Sequence, residues 1–255
     1  MSTLSNGPAR PLTARSIIAS TLLGTHPPQM SAGVLVRSCA LFGVRENATR
    51  VALTRMVAAG ELTADDGRYA LAGRLRDRQF RQDRSRRGLD PAPPWDGSWR
   101  LAVVAGESRS PTQRADLRRA LSQRRFAEWR EGLWARPDNL AEAAHTLEGC
   151  TMVPGALPPS SKDLAERLFA LAEWATQARA LVQEVADVQQ RLKPGDSATL
   201  ADSFVLNAAV LRHLQADPLL PPELVPRNWP GRLLRDRYEH FDAAFLAIWR
   251  SHLRS

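Results

Sequence analysis

Lysine is almost missing from this chain of 255 residues: Lys162 and Lys193 are the only two. Cysteine is as scarce, with Cys39 and Cys150 alone. Two cysteines in a chain of this length make neither a disulfide framework nor a zinc site. Cys39 falls in an apolar helical run and is expected as a small core residue. No apolar run reaches the roughly 18 residues that a membrane span needs. Residues 17–23 follow Arg15 as an apolar stretch, but Ser20 and Thr21 interrupt it and no small-residue cleavage pattern follows, so it does not read as a signal segment. A soluble, cytoplasmic protein is expected. Catalytic signatures are missing as well. There is no glycine-rich phosphate loop, no H-E-x-x-H and no G-x-S-x-G. His26, His145, His213, His240 and His252 are scattered without metal-ligand spacing and are expected at surfaces and caps. The expectation is therefore no enzyme, no metal and no bound cofactor.

Arginine is what the chain has in excess. The formal net charge is +8 and the pI about 10.7. A G+C-rich coding bias is one explanation for arginine in place of lysine, but not for the net charge, which acidic residues could have balanced. A basic chain is drawn to a polyanion, and nucleic acid is the commonest one. Guanidinium groups suit phosphates and guanine edges. With 44% hydrophobic residues, the chain can bury a core as one large domain or two to three small ones.

Along the chain, residues 1–12 lack periodicity and are expected as a disordered lead. Residues 13–23 read as a helix with Ile17, Ile18, Leu22 and Leu23 apolar, ended by Pro27 and Pro28. Ser31 is a cap for a second helix carrying Val34, Leu35, Cys39 and Leu41, with Gly43 as its stop. The third segment, Val44 to Gly60, is the most informative. Asn47 is expected as its N-cap and Gly60 as the residue past its end. Thr49, Leu53, Met56 and Val57 share one helical face. Asn47, Val51, Thr54 and Arg55 share the other, with Arg50 at the edge. Two short strands around Asp65-Asp66-Gly67 then form a hairpin signal. Three helices followed by a hairpin describe a winged helix-turn-helix over residues 13–73.

Residues 74–94 read as a basic helix or linker closed by Pro91, Pro93 and Pro94. Residues 95–160 give strand (99–104), helix (112–124), two short strands (126–129 and 132–134), a short helix (141–147) and a last strand (150–153). That order is ferredoxin-like. Its tryptophans Trp95, Trp99, Trp129 and Trp134 are expected to build a core, the alternative being the lining of an effector pocket. Residues 161–255 are helical, with runs over 161–192, 199–215 and 231–253. The fold class is thus α+β, with a winged helix-turn-helix, a ferredoxin-like middle and an all-helical C-terminal part.

Sequence-specific recognition needs a rigid element that fits the major groove and presents donors to base edges. The candidates are Arg45, Asn47, Arg50, Val51, Thr54 and Arg55 on the third helix, and Arg68 and Tyr69 in the wing, where Arg68 can reach phosphate or the minor groove. The bland alternative for each arginine is a solvated surface residue. Arg50 or Arg55 has the further alternative of pairing with Glu46 or Glu61. A nuclease built on the central unit is a rival reading, but Asp96, its nearest carboxylate, has no evident acidic partner. A third reading is an acyl-CoA-binding module without specific DNA binding.

Three stretches resemble the PaaX-like transcriptional repressors. Residues 41–62 resemble the family's recognition helix and the start of its wing. Trp95-Asp-Gly-Ser-Trp-Arg100, with Gly132-Leu-Trp-Ala-Arg-Pro137, resembles the strand signatures of its central domain. Asp217-Pro-Leu-Leu-Pro-Pro-Glu-Leu-Val-Pro-Arg-Asn-Trp-Pro-Gly231 resembles its C-terminal Pro/Trp segment and is the most specific of the three. The resemblance implies a repressor that binds a two-fold double-stranded operator as a homodimer. It also implies a small-molecule effector, phenylacetyl-CoA in the best-known members, that releases the protein from promoters of aromatic-acid catabolism. No motif identifies an effector-binding residue.

Overall fold

The computed structural model describes residues 12–89, 94–104, 109–140, 147–156 and 161–254. The expected lead before Leu12, the short helix at 141–147 save its last residue, and Pro91 and Pro93 lie outside them. The chain divides into two compact units that are not contiguous in sequence. One takes Met1–Arg86, Glu184–Gln215 and Arg237–Ser255; the other takes Arg87–Gln183 and Ala216–Asp236.

The first unit opens with α1 (Ala14–Leu23), capped by Thr13, whose side chain accepts from the Ser16 N–H. Strand β1 (Gln29–Ser31) leads into α2 (Ala32–Ala40), where the Ser31 hydroxyl accepts from the Val34 N–H. Helix α3 (Glu46–Ala58) follows, then β2 (Leu62–Asp65) and β3 (Arg68–Leu71). The hairpin turns on Asp66 (φ 43°) and Gly67 (φ 69°), with Asp65 opposite Arg68. Both central residues have positive φ, which is the two-residue turn whose twist matches antiparallel strands. Gly67→Ala is expected to lower stability by about 1 kcal/mol through the left-handed backbone alone, since no atom lies within 4 Å of the new Cβ. A urea midpoint indistinguishable from wild type would show that the turn relaxes freely. Strand β1, which the sequence does not announce, pairs with β3, so the order is β1-β3-β2.

Helix α4 (Gly73–Arg87) is helix throughout. The buried Gln79 amide donates to the Leu22, Leu23 and Thr25 carbonyls at and just past the end of α1, where helical acceptors run short of N–H partners. The core of the unit contains Ile17, Ile18, Leu22, Leu35, Cys39, Leu53 and Met56. Leu200 and Phe204 of α8 (Ser197–Ala216), with Phe245, Trp249 and Leu253 of α9 (Gly231–Arg254), belong to the same core. The winged helix and the last two helices therefore exclude water together.

The second unit holds β4 (Trp99–Val104), α5 (Pro111–Gln123), β5 (Ala127–Arg130), β6 (Leu133–Pro137) and β7 (Cys150–Gly155). All pairings are antiparallel and the order is β5-β6-β4-β7, the ferredoxin-like arrangement. Trp99 is fully buried with Trp95 and Trp129 packed on its cluster, and Trp134 belongs to a second cluster with Leu121 and Phe126. Helices α6 (Ser161–Phe169) and α7 (Leu171–Arg191) are separate, although the sequence reads as one long run. Ala170 takes φ 46° and the Glu166 carboxylate accepts from the Ala172 N–H, which caps the new helix. The Pro/Trp segment is a structural clamp in this unit. The buried Asp217 carboxylate accepts from the Leu219 N–H and from Arg235, and Trp229 stacks on Trp174 with centroids 4.5 Å apart.

Candidate nucleic-acid interface

Helix α3 owes its orientation to one apolar stripe. Thr49, Leu53 and Met56 are buried, and this fixes the opposite face outward. On that face Arg45, Asn47, Arg50, Val51, Thr54 and Arg55 are all exposed. Val51 is a large apolar side chain left 43% exposed, which suits contact with a thymine methyl. The start of the helix differs from the sequence expectation. Arg45, not Asn47, is the N-cap residue, and no side chain caps the helix. Glu46 occupies the first turn, where a carboxylate is favoured by the helix dipole, so the helix begins one residue before Asn47. Asn47 thereby lies inside the first turn with its amide unspent. At the far end Gly60 (φ 66°) closes the helix, its N–H on the Val57 carbonyl and the Glu61 N–H on the Met56 carbonyl.

The arginines of this face are not equivalent. Arg50 pairs with Glu46 one turn away at 2.7 Å, both side chains exposed. The side chains of Arg45, Arg55 and Arg68 have no hydrogen-bond or ion-pair partner among the described residues. Thr54 donates its hydroxyl back to the Arg50 carbonyl at 3.2 Å. In the wing, Arg68 is exposed beside the turn, opposite Asp65 and Ser31. Tyr69 is only half exposed and packs against the core of the unit, so its ring is committed in part to folding.

Two arginines outside the candidates on the third helix and wing complete the surface: Arg15, and Arg74 of the basic stretch. An open cleft of about 780 Å³ is lined by Arg45, Asn47, Val51 and Arg55 on α3, and by Arg15, Glu61 and Arg74. Glu61 is buried, and its carboxylate accepts from Arg15 Nε at 2.9 Å and from Arg15 Nη2 at 2.5 Å. Arg74 donates to it as well, through Nε at 3.1 Å and through Nη2. The Arg15 hydrogen bond, more than the Arg74 one, pulls the Glu61 carboxyl down to about 2 against the opposing effect of burial. The same contact raises Arg15. Glu61 thus answers the pairing alternative: it holds Arg15 and Arg74, not Arg55. No local motif could have found this, because Arg15 and Glu61 are 46 positions apart.

Elsewhere, Asp96 accepts from the Ser98 N–H at 2.8 Å as part of a tight loop. Among the described residues, no group of three or more His, Cys, Asp or Glu side chains could hold a metal ion. No helix among them is long and apolar enough to cross a membrane.

A winged helix with an exposed, basic face on its third helix, followed by a ferredoxin-like sheet and further helices, fits a class of transcription regulators that bind DNA. Within that class the chain belongs to the PaaX-like family. Three family models match in order: the PaaX-like protein at residues 13–75, the PaaX protein central Cas2-like domain at 92–153, and the PaaX-like protein C-terminal domain at 169–255. Among solved structures, the chain is similar to the uncharacterized protein Rv0674 from Mycobacterium tuberculosis. The two are 36% identical, the match covers 94% of this chain and 98% of that one, and the TM-score is 0.69. Comparison with curated proteins gives no significant match.

Proposed function

We propose that the protein is an effector-responsive repressor that binds a two-fold operator as a homodimer, with Arg55 and Asn47 reading bases. The observation that carries this is the exposed face of α3, where the Arg55 and Asn47 side chains have no partner among the described residues and stand beside Val51. A dimer follows from operator geometry: one winged helix reads one half-site, and a two-fold pair reads two successive ones. Arg50, held by Glu46, positions the helix and exchanges its partner for phosphate on binding. By family resemblance the regulated genes serve aromatic-acid or related catabolism, and an acyl-CoA thioester such as phenylacetyl-CoA releases the protein.

The test is fluorescence anisotropy on labelled intergenic DNA beside the protein's own gene, against scrambled DNA at near-physiological salt. Selective binding that an acyl-CoA thioester abolishes is the expected result. Equal, weak binding to both DNAs would retire the operator reading. Arg68 supplies a finer check. As a wing phosphate contact it carries no sequence information. Arg68→Ala is expected to weaken operator and scrambled DNA alike and to reduce the slope of log K against log salt by about one. A loss confined to the operator would instead make Arg68 a base reader.

A further inference from the structure

Beneath the winged helix, wholly inside the first unit, lies a cavity that DNA binding does not use. Its water-accessible volume is about 60 Å³, and it opens to solvent on one side. The end of α1 and the middle of α4 form one wall, and α8 and α9 form the other. Four aromatic side chains line it: Phe204, Tyr238, Phe245 and Trp249. Trp249 packs against Phe204 and Phe245 with centroids 5.3 and 5.4 Å apart. Leu23, Leu211 and Leu246 add aliphatic surface.

Two features are out of place in such a lining. Asn207 is 6% exposed, and neither its amide nitrogen nor its carbonyl oxygen has a partner among the described residues. The Thr21 hydroxyl, 4% exposed, is likewise unpartnered. Buried polar groups are nearly always hydrogen-bonded, because leaving one unmet forfeits its hydration. These two sit against one cavity and wait for a polar atom there. The second feature is charge. Arg78 of α4 and Arg212 of α8 both line the cavity, both are exposed, and neither has a hydrogen-bond or ion-pair partner among the described residues. Burial of its stem lowers the Arg78 guanidinium from its ordinary value, and the like charges of Arg212, Arg81 and Arg15 lower it further. An anion between Arg78 and Arg212 would relieve that repulsion. The one carboxylate of the lining, Asp242, is already engaged: Arg86 donates to it at 2.6 Å and the Tyr238 hydroxyl at 3.4 Å.

We infer that this cavity is a binding site for a small aromatic anion, its ring among the aromatic side chains, a carboxylate or thioester carbonyl oxygen meeting Asn207 and Thr21, and its negative charge facing Arg78 and Arg212. The four aromatic side chains of the lining suit a ring, and a nucleotide carried by the ligand would lie toward the open side. The inference rests on the effector-responsive reading and places its ligand. A ligand here touches the end of α1 that Gln79 of α4 holds, so it acts on the elements that support the recognition helix.

Calorimetry with the full chain and no DNA tests the site. The probes are benzoate and phenylacetate, phenylacetyl-CoA as the thioester arm, and neutral benzamide as the control. Binding of the anionic probes but not of benzamide is expected. The thioester binding while both free acids fail would assign the charge to the nucleotide at the mouth and keep the site. The double variant R78A/R212A is expected to lose at least about tenfold in affinity. Asn207→Leu replaces an unmet amide by an apolar group of similar size. It is expected to abolish binding while raising Tm by roughly 2–4 °C, so lost binding cannot be ascribed to misfolding. Wild-type protein that binds none of the three anionic probes at millimolar concentration overturns the proposal, as does unchanged affinity in Asn207→Leu. A thioester that dissociates the DNA complex of R78A/R212A as readily as that of wild type also overturns it, and leaves the repressor reading standing. Probe binding without any selective DNA binding upholds the site and retires that reading instead.

Discussion

Arg55→Ala is expected to lower operator affinity by about 1–3 kcal/mol, roughly 5- to 150-fold, and to leave thermal stability unchanged. The first half follows from what a well-placed guanidinium does at a guanine edge, where two parallel hydrogen bonds discriminate against the wrong base. The second follows from the site. Arg55 is exposed and has no partner among the described residues, so truncation removes nothing from the fold. Arg50→Ala removes an exposed i,i+4 pair with Glu46, and such pairs contribute only a few tenths of a kcal/mol. Its cost on DNA falls on all sequences alike if Arg50 serves phosphate. The pair of variants separates reading from positioning. The check is anisotropy on operator and scrambled DNA at two salt concentrations. Operator affinity preserved in Arg55→Ala, with the melting curve unaltered, would remove Arg55 from the interface.

Glu61→Gln lowers stability at neutral pH by about 2 kcal/mol, and the deficit closes in acid. The carboxyl is held at about 2 in the folded protein, against an ordinary value of 4.5, by Arg15 first and Arg74 second. A depressed carboxylate contributes stability that is fully present above the unfolded value and is lost as pH falls toward the folded one. The window is therefore about pH 4.5 down to about 2. The full shift would correspond to a little over 3 kcal/mol, but both guanidiniums are more than half exposed and water screens them, which brings the figure to about 2. Urea midpoints of wild type and variant at pH 7, 5 and 3 give the test. A gap between the two proteins that is the same at all three pH values would show that Glu61 acts through packing and not through charge. The variant also frees Arg15 and Arg74 on the cleft beside α3, so weaker folding is expected together with tighter non-specific binding to DNA.

What one sequence makes legible is set by distance along the chain. Ser31 caps its helix as its residue type and position announce, and Gly43 and Gly60 follow theirs with positive φ. The Asp66-Gly67 turn, the buried stripe of Thr49, Leu53 and Met56, and the exposed face opposite it are all local periodicities. Even the local reading slipped where two choices differ by little. Asn47 is a good cap by type, but Glu46 in the first turn shifted the start of the helix, and Ala170 broke a run whose apolar period gave no sign of a break.

The rest was decided by the tertiary structure, for one physical reason: contacts between distant segments leave no spacing to read. Strand β1 exists because β3 offers it an edge. Glu61 is a clamp only because α1 and α4 bring Arg15 and Arg74 to it. The last two helices look like an independent bundle in sequence, yet Phe204, Phe245 and Trp249 bury themselves in the core of the winged helix. From the sequence alone came a basic, winged-helix chain with a ferredoxin-like middle and the residues exposed on its third helix. Only packing set Asn207 and Thr21 against an aromatic cavity whose lining includes Arg78 and Arg212, because apolar burial chooses partners by shape across the whole chain and not by their order along it.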